Sequence, residues 1–92
     1  VINNTLKNVG FGARNKAQAS IYVHGVQVTN IKENEFVKSA PIVVEHTVGE
    51  PKTEISNNTF NATKTPNVKE LIVNGPHTAV LKNNNVLNNK AD

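Results

Sequence analysis

One six-residue phrase returns four times along the chain, as Val1–Leu6 (VINNTL), Ile31–Phe36 (IKENEF), Ile55–Phe60 (ISNNTF) and Leu81–Val86 (LKNNNV). Its pattern is apolar, any, polar, Asn, any, apolar. The constant amides Asn4, Asn34, Asn58 and Asn84 stand 30, 24 and 26 residues apart. Self-similarity at roughly 20 to 50 residues marks repeat architecture, because so short a unit cannot bury its own apolar face and must stack on its neighbours. Composition then separates helical from strand repeats. The chain holds 16 Asn, a residue poor in helix interiors and favoured in turns, where it tolerates left-handed backbone angles. No segment sustains three-to-four apolar spacing over a dozen residues, and the Asn, Pro and β-branched content opposes helix, so strand repeats are expected over helical ones. With aromatics at 4% and no Trp, a dense aromatic core is excluded.

Between the phrases lie β-branched runs at Ile21–His24 (IYVH), Ile42–Glu45 (IVVE) and Leu71–Asn74 (LIVN), which read as strands. Turn signals follow each run, at Gly25, at Gly49–Pro51 and at Gly75–Pro76. One repeat is therefore strand, Gly/Pro turn, strand, Asn turn and variable loop, and about three and a half such coils fit in residues 1–92, read as a single segment. Stacking sets equivalent residues roughly 4.8 Å apart in parallel strands. Four inward columns result: Ile21, Ile42 and Leu71; Val23, Val44 and Val73; Ile2, Ile31, Ile55 and Leu81; Leu6, Phe36, Phe60 and Val86. Asn4, Asn34, Asn58 and Asn84 are expected to form an amide ladder at the bend, each side chain bonding the next. The expected fold is an all-β solenoid. Neither end of it resembles a cap, which would leave strand edges open, so a piece of a longer stack is expected.

This organisation resembles the right-handed parallel β-helix of the pectate-lyase-like superfamily, in which a phrase such as Ile-x-Asn-Asn-x-Phe, here Ile55–Phe60, is common. Polysaccharide lyases, several glycoside hydrolase families and phage tailspikes share that fold. The resemblance covers nearly the whole chain but rests on structural positions. It implies a secreted or cell-surface bacterial protein whose partner is a polysaccharide or other glycan. It also leaves open a structural or adhesive module that self-associates or packs on the rest of a longer chain.

The outward positions of the Ile21–His24 type of strand are the candidate binding residues. Tyr22, Val43 and Ile72 form one exposed column, and His24, Glu45 and Asn74 the next. A ring able to lie on a sugar face, beside polar groups able to bond hydroxyls, is what carbohydrate binding needs. Tyr22, His24, Glu45 and Asn74 are the expected substrate contacts, with His24 and Glu45 neighbours across one rung. The Tyr22, Val43 and Ile72 column also reads as an apolar strip for a loop or partner chain.

No catalytic set is legible. Glycoside hydrolysis ordinarily uses two carboxylates about 5 to 9.5 Å apart, and Glu33, Glu35, Glu45 and Glu54 form no such pair by their spacing. The only Asp is Asp92. Lyase relatives use clustered acids with calcium and an Arg or Lys base, whereas Arg14, the sole Arg, lies in the Lys7–Ala19 loop without acids nearby. Lyase or hydrolase chemistry, if the protein has it, is expected from residues outside this stretch. His24, His46 and His77 lack metal-ligand spacing, Cys is absent, and no metal or other cofactor is expected. Net charge is +3 with a pI near 9.4, yet the Lys residues are scattered among Glu, so a nucleic-acid partner is not expected. No apolar run approaches the roughly 18 residues of a membrane span. The Asn-x-Thr sequences at Asn3, Asn57 and Asn61 read as by-products of the repeat or chance.

Overall fold

The computed structural model describes residues 1–10, 18–61 and 71–87. Ten short strands form, and no helix is present among these residues: β1 (Thr5–Lys7), β2 (Ile21–His24), β3 (Val28–Lys32), β4 (Glu35–Val37), β5 (Ile42–Glu45), β6 (Lys52–Ser56), β7 (Thr59–Asn61), β8 (Leu71–Asn74), β9 (Val80–Lys82) and β10 (Asn85–Leu87). They build three parallel sheets ordered β1-β4-β7-β10, β2-β5-β8 and β3-β6-β9. Successive strands thus visit the three sheets in rotation, and each lands beside the strand three places earlier. The chain is all-β and solenoid-like.

The strands at Ile21–His24, Ile42–Glu45 and Leu71–Asn74 match the sequence reading residue for residue. A third strand per repeat was not foreseen. It follows the Asn turn as β1, β4, β7 and β10, where a variable loop was expected. The last two positions of the phrase begin it, and three residues are too few to show a period-two pattern.

The registers give the columns directly. Ile21, Ile42 and Leu71 align, as do Val23, Val44 and Val73. Leu6, Phe36, Phe60 and Val86 align in the four-stranded sheet, and Ile31, Ile55 and Leu81 in the third. One column needs correcting. Ile2 bridges Lys32, not Ile31, and is 56% exposed. Val1 is therefore the first position of its phrase, and Ile2 takes the outward second position.

Burial follows from stacking. Ile31, Phe36, Ile42, Val44, Ile55 and Phe60 form the core, flanked by the half-buried Leu6, Ile21, Val23, Leu71 and Val73. Middle rungs are covered on both sides, end rungs on one. The rings of Phe36 and Phe60 stack with centroids 5.0 Å apart and planes 12° from parallel, a geometry that adds about 0.5–1.5 kcal/mol to their burial.

Two features of the phrase hold the bend. Its third residue is left-handed every time, at Asn3, Glu33, Asn57 and Asn83, with φ of 58°, 58°, 56° and 54°. Asn takes that conformation at little cost, which accounts for the Asn-Asn pairs. The fourth residue forms the ladder. Asn34 Oδ1 accepts from the backbone N–H of Asn4 (2.9 Å) and from its Nδ2 (3.3 Å). Asn58 Oδ1 does the same for Asn34, at 3.0 Å each, and Asn84 Oδ1 for Asn58, at 3.2 and 3.0 Å. A backbone N–H can only donate, so the facing atom is oxygen and the orientation of each amide is fixed.

At the other bend, Gly25 and Gly75 follow β2 and β8 with φ of +70° and +93°. A Cβ on Gly75 would fall on the His46 carbonyl oxygen, so glycine is required there. His46 takes the equivalent place after β5 and is buried. Its Nε2 lies 2.8 Å from Thr53 Oγ1, and its Nδ1 3.1 Å from the Pro76 carbonyl and 3.3 Å from that of His77. Carbonyls only accept, so Nδ1 carries a proton; in the neutral imidazole Nε2 then accepts from the Thr53 hydroxyl. His46 is a structural residue.

Candidate functional site

Strand alternation places Tyr22 and His24 on the outer face of β2, and parallel register sets Glu45 of β5 opposite His24 and Asn74 of β8 beyond it. Tyr22 Oη donates to Glu45 Oε2 at 2.8 Å, diagonally across the rung. His24 Nε2 is 3.9 Å from the same oxygen, an ionic contact when the imidazole is protonated and too long for a hydrogen bond. The Tyr22 and His24 rings stand nearly parallel, 7° apart, with centroids separated by 6.1 Å. That spacing is what two outward residues on one strand impose. Both remain exposed, Tyr22 at 48%.

The hydrogen bond to Glu45 raises the Tyr22 pKa above its ordinary value, helped by partial desolvation and by the negative charge of the carboxylate. Deprotonating the phenol would break the bond and set two anions side by side. Glu45 therefore holds the ring upright as a hydrogen-bond acceptor. Its second oxygen, Oε1, has no partner among the described residues. Exposed ring, imidazole and free carboxylate oxygen converge on one small area. Asn74 lies in the same register column and is exposed, with no side-chain contact to the cluster.

Three of the four expected contacts are thus brought together, and Asn74 is placed in line with them. The apolar strip is altered. Val43 is only 8% exposed and Ile72 half-buried, so the column is open chiefly at Tyr22. Val43 sits in the middle rung between two larger side chains, which shield it. Arg14 and the greater part of the Lys7–Ala19 loop lie outside the described residues.

A second polar cluster escaped the sequence reading. On the face of β3, β6 and β9, Glu54 Oε2 lies 3.3 Å from Lys32 Nζ and 3.1 Å from Ser56 Oγ. These two hydrogen bonds, Lys32 first, lower the Glu54 pKa from its ordinary value. Beside it runs an open groove of about 320 Å³, lined in part by Val28, Asn30, Lys52, Glu54, Thr78 and Val80. Counting one residue to either side of the core positions Ile31 and Ile55 would have found it, because Asn30, Lys32, Glu54 and Ser56 flank them.

Among the described residues no three His, Asp or Glu side chains could jointly hold a metal ion. No second carboxylate joins Glu45 in its column, which runs His24, Glu45, Asn74. No helix among these residues is long and apolar enough to cross a membrane. Neither a protein-family model nor a curated protein matches the chain.

Proposed function

We propose that this chain is a segment of a right-handed parallel β-helix of the pectate-lyase-like kind, secreted or held at a bacterial cell surface, that binds an extended polysaccharide along its β2–β5–β8 face. The observation that carries the reading is the Tyr22–Glu45 hydrogen bond with the His24 ring beside it. An aromatic ring offers an apolar surface to the C–H face of a sugar, while Glu45 Oε1, the imidazole and the Asn74 amide supply acceptors and donors for hydroxyls. Rungs repeated along the stack give a series of such positions matched to a polymer. Bond cleavage, in this reading, belongs to residues outside the segment, since the proposed binding column carries one carboxylate where hydrolysis ordinarily takes two.

The test is a glycan array followed by titration of any bound oligosaccharide, with the parent, Tyr22→Ala, His24→Ala and Glu45→Gln, and with Lys52→Ala on another face as control. Tyr22→Ala should weaken binding roughly tenfold, about 1.4 kcal/mol, and Lys52→Ala should leave it unchanged. Absence of glycan binding by the parent, or indifference to Tyr22 and Glu45, removes the reading. A structural or adhesive role, as in a tailspike or stalk, is the second reading. It is favoured by the exposed Tyr22 ring of the Tyr22, Val43 and Ile72 column, which a partner chain would cover in that role.

A further inference from the structure

The β2–β5–β8 face differs in charge from the rest of the molecule. Its outward side chains are Tyr22, His24, Val43, Glu45, Ile72 and Asn74. Glu45 is the one carboxylate among them, no Lys or Arg is present, and His24 is cationic only when protonated. The described lysines stand elsewhere: Lys7, Lys32, Lys52 and Lys82 belong to strands of the other two sheets, and Lys38 follows β4. The chain as a whole carries +3, so the face is acidic on a basic protein. Because β5 lies between β2 and β8, the surroundings of Glu45 are set by a rung on either side.

The carboxylate is prepared for a cation. Its side chain is 38% exposed, and the apolar Val43 and Ile72 beside it are buried and half-buried, so a charge placed there is less screened than in open water. The Tyr22 hydroxyl bonds Oε2 at 2.8 Å and holds the group in one orientation, while Oε1 has no partner among the described residues. A ligand that bonds Oε1 therefore causes little further loss of side-chain freedom. A hydroxyl would meet it as an ordinary donor. An ammonium would make a bond between two full charges, the stronger kind, and would also be attracted to the face of the adjacent aromatic ring. A sugar carboxylate would set two anions side by side. Tyr22 supplies the placement: a sugar lying on its ring has its substituents around the rim, and Glu45 stands at the hydroxyl edge of that ring.

We infer that the polymer bound on this face carries free amino groups, one of which, protonated, bonds Glu45 Oε1 while its sugar lies on Tyr22. The inference rests on the glycan reading above and narrows it to amino-sugar polymers, as opposed to polyuronates.

Tyr22 is the sole Tyr and Trp is absent, so intrinsic fluorescence reports this face alone. Oligomers of glucosamine, N-acetylglucosamine and galacturonate, equal in length, are titrated in turn at low salt with the amine protonated. The glucosamine oligomer should bind about tenfold tighter than its acetylated counterpart, and the galacturonate oligomer weakest of the three. General charge attraction would give the reverse order, because a chain of net +3 repels a polycation. Glu45→Gln keeps an oxygen for the Tyr22 hydroxyl and removes only the charge, so the amine and acetylated oligomers should then bind alike. Glu54→Gln, on the β3–β6–β9 face, should leave the preference in place. Circular dichroism checks that both variants keep their strands. Equal binding of the amine and acetylated oligomers, a preference for galacturonate, or a preference that survives Glu45→Gln each overturns the inference and leaves the glycan reading standing. No response to any of the three, in a protein that binds other sugars on an array, does the same; no binding on the array either removes both.

Discussion

Replacing Asn58 by Ala tests whether the ladder is what holds the repeats in register. The residue is fully buried. Its Oδ1 accepts from Asn34 N and Nδ2, and its Nδ2 donates to the Ile31 carbonyl and to Asn84 Oδ1, each at 3.0 Å. Two of these partners keep an alternative: Asn34 Nδ2 retains the Val1 carbonyl at 3.0 Å, and Asn84 Oδ1 retains the Asn58 backbone N–H at 3.2 Å. The substitution therefore orphans one buried N–H, that of Asn34, and deprives the Ile31 carbonyl of its amide donor. At about 1–3 kcal/mol for each buried group, the loss is about 2–6 kcal/mol, a large share of the roughly 5–15 kcal/mol that holds a domain together. Asn4→Ala is the comparison, since its bonds to the Ile2 carbonyl and Asn34 Oδ1 lie at the exposed end, where water substitutes, and it should cost under about 1 kcal/mol. In urea, with a slope of about 1–3 kcal/mol per molar, Asn58→Ala should lower the midpoint by about 1 M or more at unchanged slope. Asn58→Asp adds a chemical control. It preserves one acceptor oxygen and turns the donor towards two acceptors, so its carboxyl should bind a proton more readily folded than unfolded. That raised folded pKa contributes stability below the ordinary value near 4, lost as pH rises, so its deficit against the parent narrows on acidification. Equal losses for Asn58→Ala and Asn4→Ala would refute the reasoning.

Three further outcomes follow from single positions. Glu33 alone among the four left-handed phrase residues is not Asn, so Glu33→Asn should stabilise the chain by a few tenths to about 1 kcal/mol in the same urea titration; a loss would mean that its side chain has a role beyond the turn. Thr29 Oγ1 is buried without a hydrogen-bond partner, and the rung below shows why. There the aligned Thr53 bonds His46, whose place is taken by Gly25 in the Thr29 rung. Thr29→Val should therefore raise thermal stability by about 1 kcal/mol or more, and a lower melting temperature would contradict this. Tyr22 is the sole Tyr and there is no Trp, so ultraviolet absorbance against pH reports it alone: its midpoint should lie above the ordinary value near 10 and fall back in Glu45→Gln. Because the folded pKa is the higher one, the stability linked to it is present below that pH and disappears as alkali ionises the phenol; an identical midpoint in Glu45→Gln would exclude the hydrogen bond in solution.

The repeat made most of the architecture legible. Asn spacing located the bends, and β-branched runs gave three strands and their register to the residue. The neighbourhood of His24 and Glu45 followed from that register, because alignment along a parallel sheet is a property of sequence position alone. What escaped depended on side-chain reach or on ends. Nothing in the spacing shows that Tyr22 leans diagonally to Glu45 while Asn74 stays apart. The burial of Val43 depends on the bulk of its neighbours, and the misplacement of Ile2 came from two consecutive apolar residues at the first phrase, where alternation cannot choose between them. The strands after the Asn turn were too short to carry a periodic signal.

Register is also the link between the ladder and the proposed binding face. The intervals between ladder residues vary, at 30, 24 and 26, so loop length cannot be what aligns the rungs. Each repeat instead passes through a left-handed residue and then an Asn whose side chain grips the backbone N–H of the preceding repeat. That pair of constraints resets the alignment once per repeat, whatever the loop before it has done. A slip of one residue in β5 would turn Glu45 inward and Ile42 and Val44 outward, burying a carboxylate in the core and leaving Tyr22 without its acceptor. Glu45 thus enforces the register it depends on, since the slipped state buries an unpaired charge. Glu45→Leu should weaken that penalty while leaving the core untouched, and in this chain a polar outward residue on a middle strand serves both the choice of alignment and the chemistry of the face.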